Sequence, residues 1–150
     1  MHLKAVFLII AAAVIMILPC RGICETIDWK QYNEGIRLAK KQNKKIFLHF
    51  KTNWCGYCTQ MDRVTFNDPA IVKFLDEHFV SIKVDGDKEK PIAKAHKVKG
   101  YPDNFFLDEK KNQAYRLSGF LDPMTFLFFL EYIQTDSYKT MDPMQYYKIR

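Results

Sequence analysis

The sequence predicts an α/β domain of three layers, with helices on both faces of a central mixed sheet. Three observations carry that prediction. Residues 46–50 and 79–84 are apolar, β-branched runs of buried-strand length. Helical segments with capping signals fall between and around them. Two further short runs, Phe105-Phe106-Leu107 and Ala114-Tyr115-Arg116-Leu117, are separated by residues 108–113 and read as a hairpin. The order is helix, strand, motif helix, helix, strand, helix, hairpin, helix, which fits parallel strands at the centre and an antiparallel edge.

The 150 residues suit one domain. Residues 1–18 read as a secretory signal: His2 and Lys4 flank the start, an apolar run covers residues 5–18, and Pro19 breaks it. That run is about 14 residues, short of the roughly 20 that a spanning helix needs. Cleavage after Cys24 would put Gly22 and Cys24 at the two positions the peptidase reads. The expected division is a signal peptide over 1–24 and a mature domain over 25–150, with a C-terminal tail from about 136. A product starting near Glu25 retains only Cys55 and Cys58, in a compartment where disulfides persist, the periplasm or its equivalent. Two alternatives are a retained membrane anchor and a lipidated Cys20, although proline before that cysteine fits a lipid-attachment box poorly. Loss of Lys4 and Arg21 with the leader lowers the formal charge from +6 to +4. The lysines are scattered through amphipathic segments, so solvated faces account for them and a nucleic-acid stripe is not expected.

Along the mature chain, Asp28 is a natural N-cap, with Gln31 placed as in a capping box and Ile27 and Tyr32 as a hydrophobic staple. Trp29, Tyr32, Ile36 and Ala39 recur at helical spacing, and this helix should end near Asn43. Residues 46–50 form the first strand. A helix follows over about 59–64, and Asp68-Pro69 opens the next. Residues 79–84 form the second strand, and Asp85-Gly86-Asp87 turns the chain; a calcium loop would need a longer ligand series ending in glutamate. Residues 88–97 suggest a short helix. Asp122-Pro123 and Asp142-Pro143 start the last two helices.

Trp54-Cys55-Gly56-Tyr57-Cys58 lies at the junction between the first strand and its helix. The first thiol of such a pair sits at a helix N-terminus, where unpaired N–H groups and the helix dipole favour thiolate. Cys55 is therefore the expected nucleophile, and Cys58, one turn on, can close a disulfide with it. A zinc reading lacks ligands: there is no second cysteine pair, and His2, His49, His78 and His96 show no paired spacing. A purely structural disulfide across so short a loop would restrain little chain entropy.

Five further segments accompany the pair. Besides Asn53-Trp54-Cys55-Gly56-Tyr57-Cys58 they are Val64-Thr65-Phe66-Asn67-Asp68-Pro69, Phe79-Val80-Ser81-Ile82-Lys83-Val84-Asp85, Val98-Lys99-Gly100-Tyr101-Pro102, Phe105-Phe106-Leu107-Asp108 and Arg116-Leu117-Ser118-Gly119-Phe120. In this order they resemble a thioredoxin-fold domain from Lys44 to about Ile133, and the pattern is similar to the C-terminal thioredoxin-like domain of DsbD reductases. The resemblance implies a thioredoxin fold and thiol-disulfide exchange through the Cys55–Cys58 disulfide, with no other cofactor and no metal. It makes Pro102 the counterpart of the family's cis-proline, leaving the Tyr101 main chain free to pair with an extended substrate. Trp54 is expected to shield the site, and Gly56-Tyr57 to set the loop between the thiols. Asp103 departs from the threonine usual there, which bears on substrate preference.

The expected activity is reduction of disulfides in exported proteins, with protein or peptide substrates and a membrane thiol-transfer protein as electron donor. Gly-Tyr also occurs between the cysteines of the isomerase DsbC, but this chain has no length for that protein's dimerisation domain, so a monomer is expected. A disulfide oxidant or isomerase is one alternative. A non-enzymatic Cu(I)-binding module using Cys55, Cys58 and Met61 is the other.

Two further expectations concern single features. His49 stands where the family often holds a buried acid behind the second cysteine. It is either a core residue or the proton carrier for Cys58, resting neutral because burial disfavours imidazolium. The helix after Asp122-Pro123 is too apolar for one sheet-facing side, so the tail with Tyr138, Met141, Met144, Tyr146 and Tyr147 is expected to fold over its outer side; a partner or membrane surface is the alternative.

Overall fold

The computed structural model describes residues 26–150. The expected leader, its cleavage site and Cys20 lie outside the described residues. In chain order the elements are α1 (Tyr32–Gln42), β1 (Lys45–Lys51), α2 (Gly56–Val64), α3 (Pro69–His78), β2 (Phe79–Asp85), α4 (Lys90–Ala95), β3 (Asp103–Leu107), β4 (Gln113–Ser118), α5 (Pro123–Gln134), a 3-10 turn (Ser137–Lys139) and α6 (Pro143–Ile149). The sheet order is β2-β1-β3-β4. β1 runs parallel to β2 and antiparallel to β3, and β3 and β4 form the hairpin.

β1 is central because its sequence can be buried on both faces. Alternate side chains point to opposite sides of a strand. Ile46, Leu48 and Phe50 join Val80, Ile82, Val84 and Phe105 in one cluster. Phe47 joins Met61, Phe66, Ile71, Phe106 and Phe126 in the other. His49 lies on the Phe47 side.

Aspartates start three helices. Asp68 accepts from Ala70 N and Ile71 N at 2.9 and 3.2 Å. Asp122 accepts from Thr125 N at 3.1 Å. Asp142 and Gln145 make a reciprocal capping box, and each helix has proline in its first turn. The first helix departs from expectation. Asp28 does not cap it; Gln31 stands at the N-cap without a side-chain bond. Lys30 instead forms a parallel bridge to Ile82, donating its N–H to Ser81 O at 2.8 Å and accepting from Lys83 N at 3.3 Å. The open edge of β2 offered backbone partners that an earlier helix start would have left unmet. Trp29 therefore enters the core from an extended segment and meets Phe66 edge-on at 5.1 Å. The helix ends as expected, at Asn43 in the left-handed region (φ 52°).

The outer side of α5 is covered by the chain after it. Tyr138, Met141 and Tyr146 pack against the cluster that holds Phe126, Leu130 and Ile133. The Tyr132 hydroxyl donates to Met141 O. Phe128 meets Tyr146 at 5.6 Å, and Arg150 pairs with Glu131 at 2.6 Å. Met124, Met144, Tyr147 and Ile149 remain exposed.

Candidate active site

β1 delivers the chain to the two cysteines and α2 fixes them. Cys55 is the N-cap of α2, and its Sγ accepts from the backbone N–H of Cys58 at 3.1 Å. The two are joined as a disulfide with Cα atoms 5.2 Å apart. Their environments differ: Cys55 keeps 7% of its surface and Cys58 none. Of the two residues, only Cys55 keeps any exposed surface. Met61, the third soft ligand of the copper alternative, is fully buried in the core cluster.

Aromatic side chains stand around Cys55. Trp54 is 72% exposed and Tyr57 65%. The Trp54 indole N–H donates to Asp87 Oδ2 at 2.9 Å. Tyr101 meets Trp54 edge-on at 5.9 Å. The Tyr101 hydroxyl lies only 2.0 Å from where a Cβ on Gly86 would be, so that glycine makes room for it. Burial, then the nearby Asp87, Asp85 and Asp103, push the Tyr101 phenol above its ordinary pKa. A side chain on Gly56 would meet open space.

The Tyr101–Pro102 peptide bond is cis, and Pro102 is buried. Pro102 O accepts from Gly119 N at 2.8 Å, whereas the main chain of Tyr101 has no backbone partner among the described residues. Asp103 turns inward. It is 1% exposed, and its carboxylate receives Arg116 Nη2 at 2.6 Å and Nε at 3.1 Å, and Ser118 Oγ at 2.8 Å. Its departure from threonine thus braces the hairpin.

His49 is wholly buried among Trp29, Phe47 and Phe66, with Phe66 edge-on at 4.9 Å. Its Nδ1 lies 2.8 Å from Asn104 Oδ1, and its Nε2 has no partner among the described residues. Burial is the main reason its pKa is pushed down to about 4; Lys83 and Lys51 act in the same direction, against Asn104 and Asp62. The imidazole is therefore neutral at pH 7. Asp62, one helical turn beyond Cys58, receives Lys51 Nζ at 2.6 Å and Lys83 Nζ at 2.7 Å. Burial alone would raise the Asp62 pKa, but these two ammonium groups hold it below the usual range. Lys83 also sits 4.2 Å over the Trp29 ring.

The structure thus brings Cys55, Cys58, Trp54, Gly56 and Tyr57 together on one loop and helix, with Tyr101 against Trp54. His49 lies on β1, the strand that leads into the loop. Sequence reasoning missed Asn104, Asp87 and the Asp62–Lys51–Lys83 group. Only Asp62 left a signal, an acid four residues after Cys58. The partners of the others come from distant strands and loops.

A thioredoxin fold carrying an N-terminal helix-capping cysteine disulfide defines a class, the thioredoxin-like disulfide oxidoreductases. Comparison with known proteins agrees: the chain belongs to the thioredoxin-like domain family, whose pattern it matches over residues 32–134. It is 31% identical over 111 residues to the thiol:disulfide interchange protein DsbD of Vibrio vulnificus, covering 70% of this chain and 18% of that protein. The chain thus spans about a fifth of the length of such relatives. Among solved structures it is similar to a thioredoxin from Thermus thermophilus, with TM-score 0.67, 27% identity, and coverage of 72% of this chain and 87% of that one. The reduced C-terminal domain of Neisseria meningitidis DsbD gives TM-score 0.56 and 26% identity, over 66% of this chain and 90% of that domain.

Proposed function

We propose that the protein reduces disulfides of exported proteins or peptides by dithiol exchange. The observation that carries this reading is the asymmetry of the pair: Cys55 caps a helix N-terminus and keeps a little exposed surface, whereas Cys58 keeps none. Cys55 thiolate attacks a substrate disulfide. A bond forms to one substrate sulfur, and the other leaves as thiolate and takes a proton. Cys58 then gives its proton to His49 Nε2 and attacks Cys55 Sγ. The Cys55–Cys58 bond forms, the mixed disulfide breaks, and the second substrate sulfur leaves. Two electrons have passed to the substrate.

Tyr101, before Pro102, offers its main chain to an extended substrate strand. Trp54 and Tyr57 flank the substrate cysteine, and Gly56 keeps the space over the disulfide open. An external dithiol must restore the pair; a membrane thiol-transfer protein fits that chemistry. The N-terminal pattern over residues 1–24 supports export, with the domain acting as a single chain in the periplasm. Among the described residues no helix is long and apolar enough to cross a membrane.

The test is insulin reduction by the parent, Cys55→Ser and Cys58→Ser, with the reduction potential of the pair. Loss of turnover in both variants and a potential near the thioredoxin end, about −270 mV, are expected. Activity in the double variant would sink the reading, and a potential near −120 mV would reverse its direction.

A further inference from the structure

We infer that Asn104 is a positioning residue that locks His49 in the tautomer with the proton on Nδ1, so that the unshared pair on Nε2 is the one left free. The inference rests on the reading of His49 as the proton carrier for Cys58 and adds the residue that makes it competent.

The orientation of the Asn104 amide is forced by its neighbours. One end lies 3.0 Å from Leu117 O and 3.3 Å from Gly119 O. Both are carbonyl oxygens, which only accept, so that end must be the NH₂ group. The other end is the oxygen, and it lies 2.8 Å from His49 Nδ1. An amide oxygen cannot donate, so Nδ1 carries the hydrogen. A neutral imidazole has one N–H, and Nε2 is left as the acceptor. That nitrogen is buried and has no partner among the described residues. A buried polar atom without a partner costs stability. Register makes the pairing possible: His49 on β1 lies opposite Asn104 on β3, and β4 and the residue after it supply the anchoring carbonyls.

The charged groups that act on this imidazole are Lys83 from β2, Lys51 from β1 and Asp62 from α2. The aromatic walls, Trp29, Phe47 and Phe66, bring none. With the disulfide closed no anion is formed at Cys58, and the ring stays neutral. When Cys58 is a thiol about to attack, its proton moves to Nε2. The resulting imidazolium keeps its Nδ1–H bond to Asn104, and the thiolate formed in the step favours the charged ring. The alternative tautomer would present a hydrogen at Nε2 and accept nothing.

The experiment has two readouts. Two-bond ¹H–¹⁵N correlation of the imidazole rings at pH 7 reads the tautomer in the parent protein, and single-turnover kinetics read mixed-disulfide resolution. The expected result is an Nδ1–H tautomer for His49 in the parent. Asn104→Leu should lose it and slow resolution about tenfold, and His49→Gln should slow it about a hundredfold, the lower end of general acid–base effects. Asn104→Asp should keep the tautomer. Its carboxylate favours imidazolium, so the rising limb of the resolution rate against pH should move to higher pH.

An Nε2–H tautomer in the parent overturns the inference, whatever the variants do; this needs no variant to fold. So does an Asn104→Leu protein that folds and keeps both tautomer and rate while His49→Gln is slow. If His49→Gln resolves at the parent rate, the carrier reading fails instead, and the tautomer measurement still decides the role of Asn104.

Discussion

Two histidines lie on opposite faces of the same sheet, and the same ring is put to different use on each. His49, on β1, has no exposed surface, one nitrogen bonded to a fixed amide and the other open. His96, just after α4, is half-buried; its Nε2 meets the Tyr32 hydroxyl at 2.9 Å, and its ring packs on Phe50 and Phe105 at 5.3 and 5.4 Å. Burial holds both below the ordinary imidazole range. The Tyr32 hydroxyl meets one ring nitrogen of the half-buried His96, so that histidine behaves as packing with a polar edge. His49 holds a buried acceptor without a protein partner among the described residues, which a fold retains only at a cost. Strand alternation sets the contrast, since Leu48 and Phe50 face the His96 side and Phe47 and His49 the other.

The largest effect should come from uncovering the His49 side. Truncation after Thr135 removes the partly buried Tyr138, Met141 and Tyr146, the acceptor for the Tyr132 hydroxyl, and Asp136, which pairs with Lys45 at 3.2 Å. Partial burial of three large side chains and one hydrogen bond come to about 4 kcal/mol. The melting temperature should fall by roughly 10–15 °C. An unchanged melt would remove the tail from the core on this face.

Acid should separate the two histidines next. In the unfolded chain His49 takes a proton near pH 6.5, but in the folded protein only near 4. Between those values the unfolded state binds the extra proton, so folding stability falls as pH drops from 6.5 to 4. The loss approaches about 3 kcal/mol below pH 4. His49→Gln does not titrate and should flatten this part of the profile. Urea unfolding at pH 7, 5.5 and 4 reads it. Equal slopes in parent and variant would mean that burial of His49 is not what makes the protein acid-sensitive.

How much of this was legible in the sequence follows from the range of the interactions. Apolar runs and aspartate–proline signals are local, so the strands and three helix starts could be read directly. The cysteine pair could be read too, because its chemistry depends on a junction visible as strand then helix. Asp28 misled because the capping pattern is local, whereas the winning interaction, Lys30 against β2, spans more than fifty residues of chain. Asn104 had no local signal. It looks like a polar interruption before Phe105-Phe106-Leu107, and only the β1–β3 register puts it opposite His49. Asp103 likewise acquires its meaning from Arg116 and Ser118 on the next strand.

The His96 face is close-packed without polar requirements, which gives a smaller and pH-independent test. A Cβ on Gly35 of α1 would lie 2.3 Å from Ile82 Cγ1. Gly35→Ala must push the helix or the isoleucine aside. The helix propensity of alanine offsets part of the strain, and a net loss of about 1–2 kcal/mol is expected. The change in urea midpoint should be the same at pH 7 and 5. A variant as stable as the parent would show that α1 can lift from the sheet at little cost.

The smallest effect, and the sharpest on the comparison, is Tyr32→Phe. The variant keeps the ring that meets His96 edge-on at 5.7 Å and removes only the hydroxyl. His96 is half-exposed, so water can replace the lost partner, and the cost should be about 0.5–1 kcal/mol. The depressed pKa of His96 has burial as its cause, not the tyrosine. An NMR titration of His96 in Tyr32→Phe should therefore keep its midpoint below the ordinary 6.5. At His49 the partner matters differently: the bond that its Nδ1–H donates to Asn104 raises the pKa against the burial that lowers it. A carboxylate in place of Asn104 should move that titration upward, while loss of Tyr32's hydroxyl leaves the other one where it was. If the His96 midpoint returns to 6.5 in Tyr32→Phe, the hydroxyl and not burial was setting it. The two faces would then be governed by their partners alike, and the contrast drawn from burial would fail.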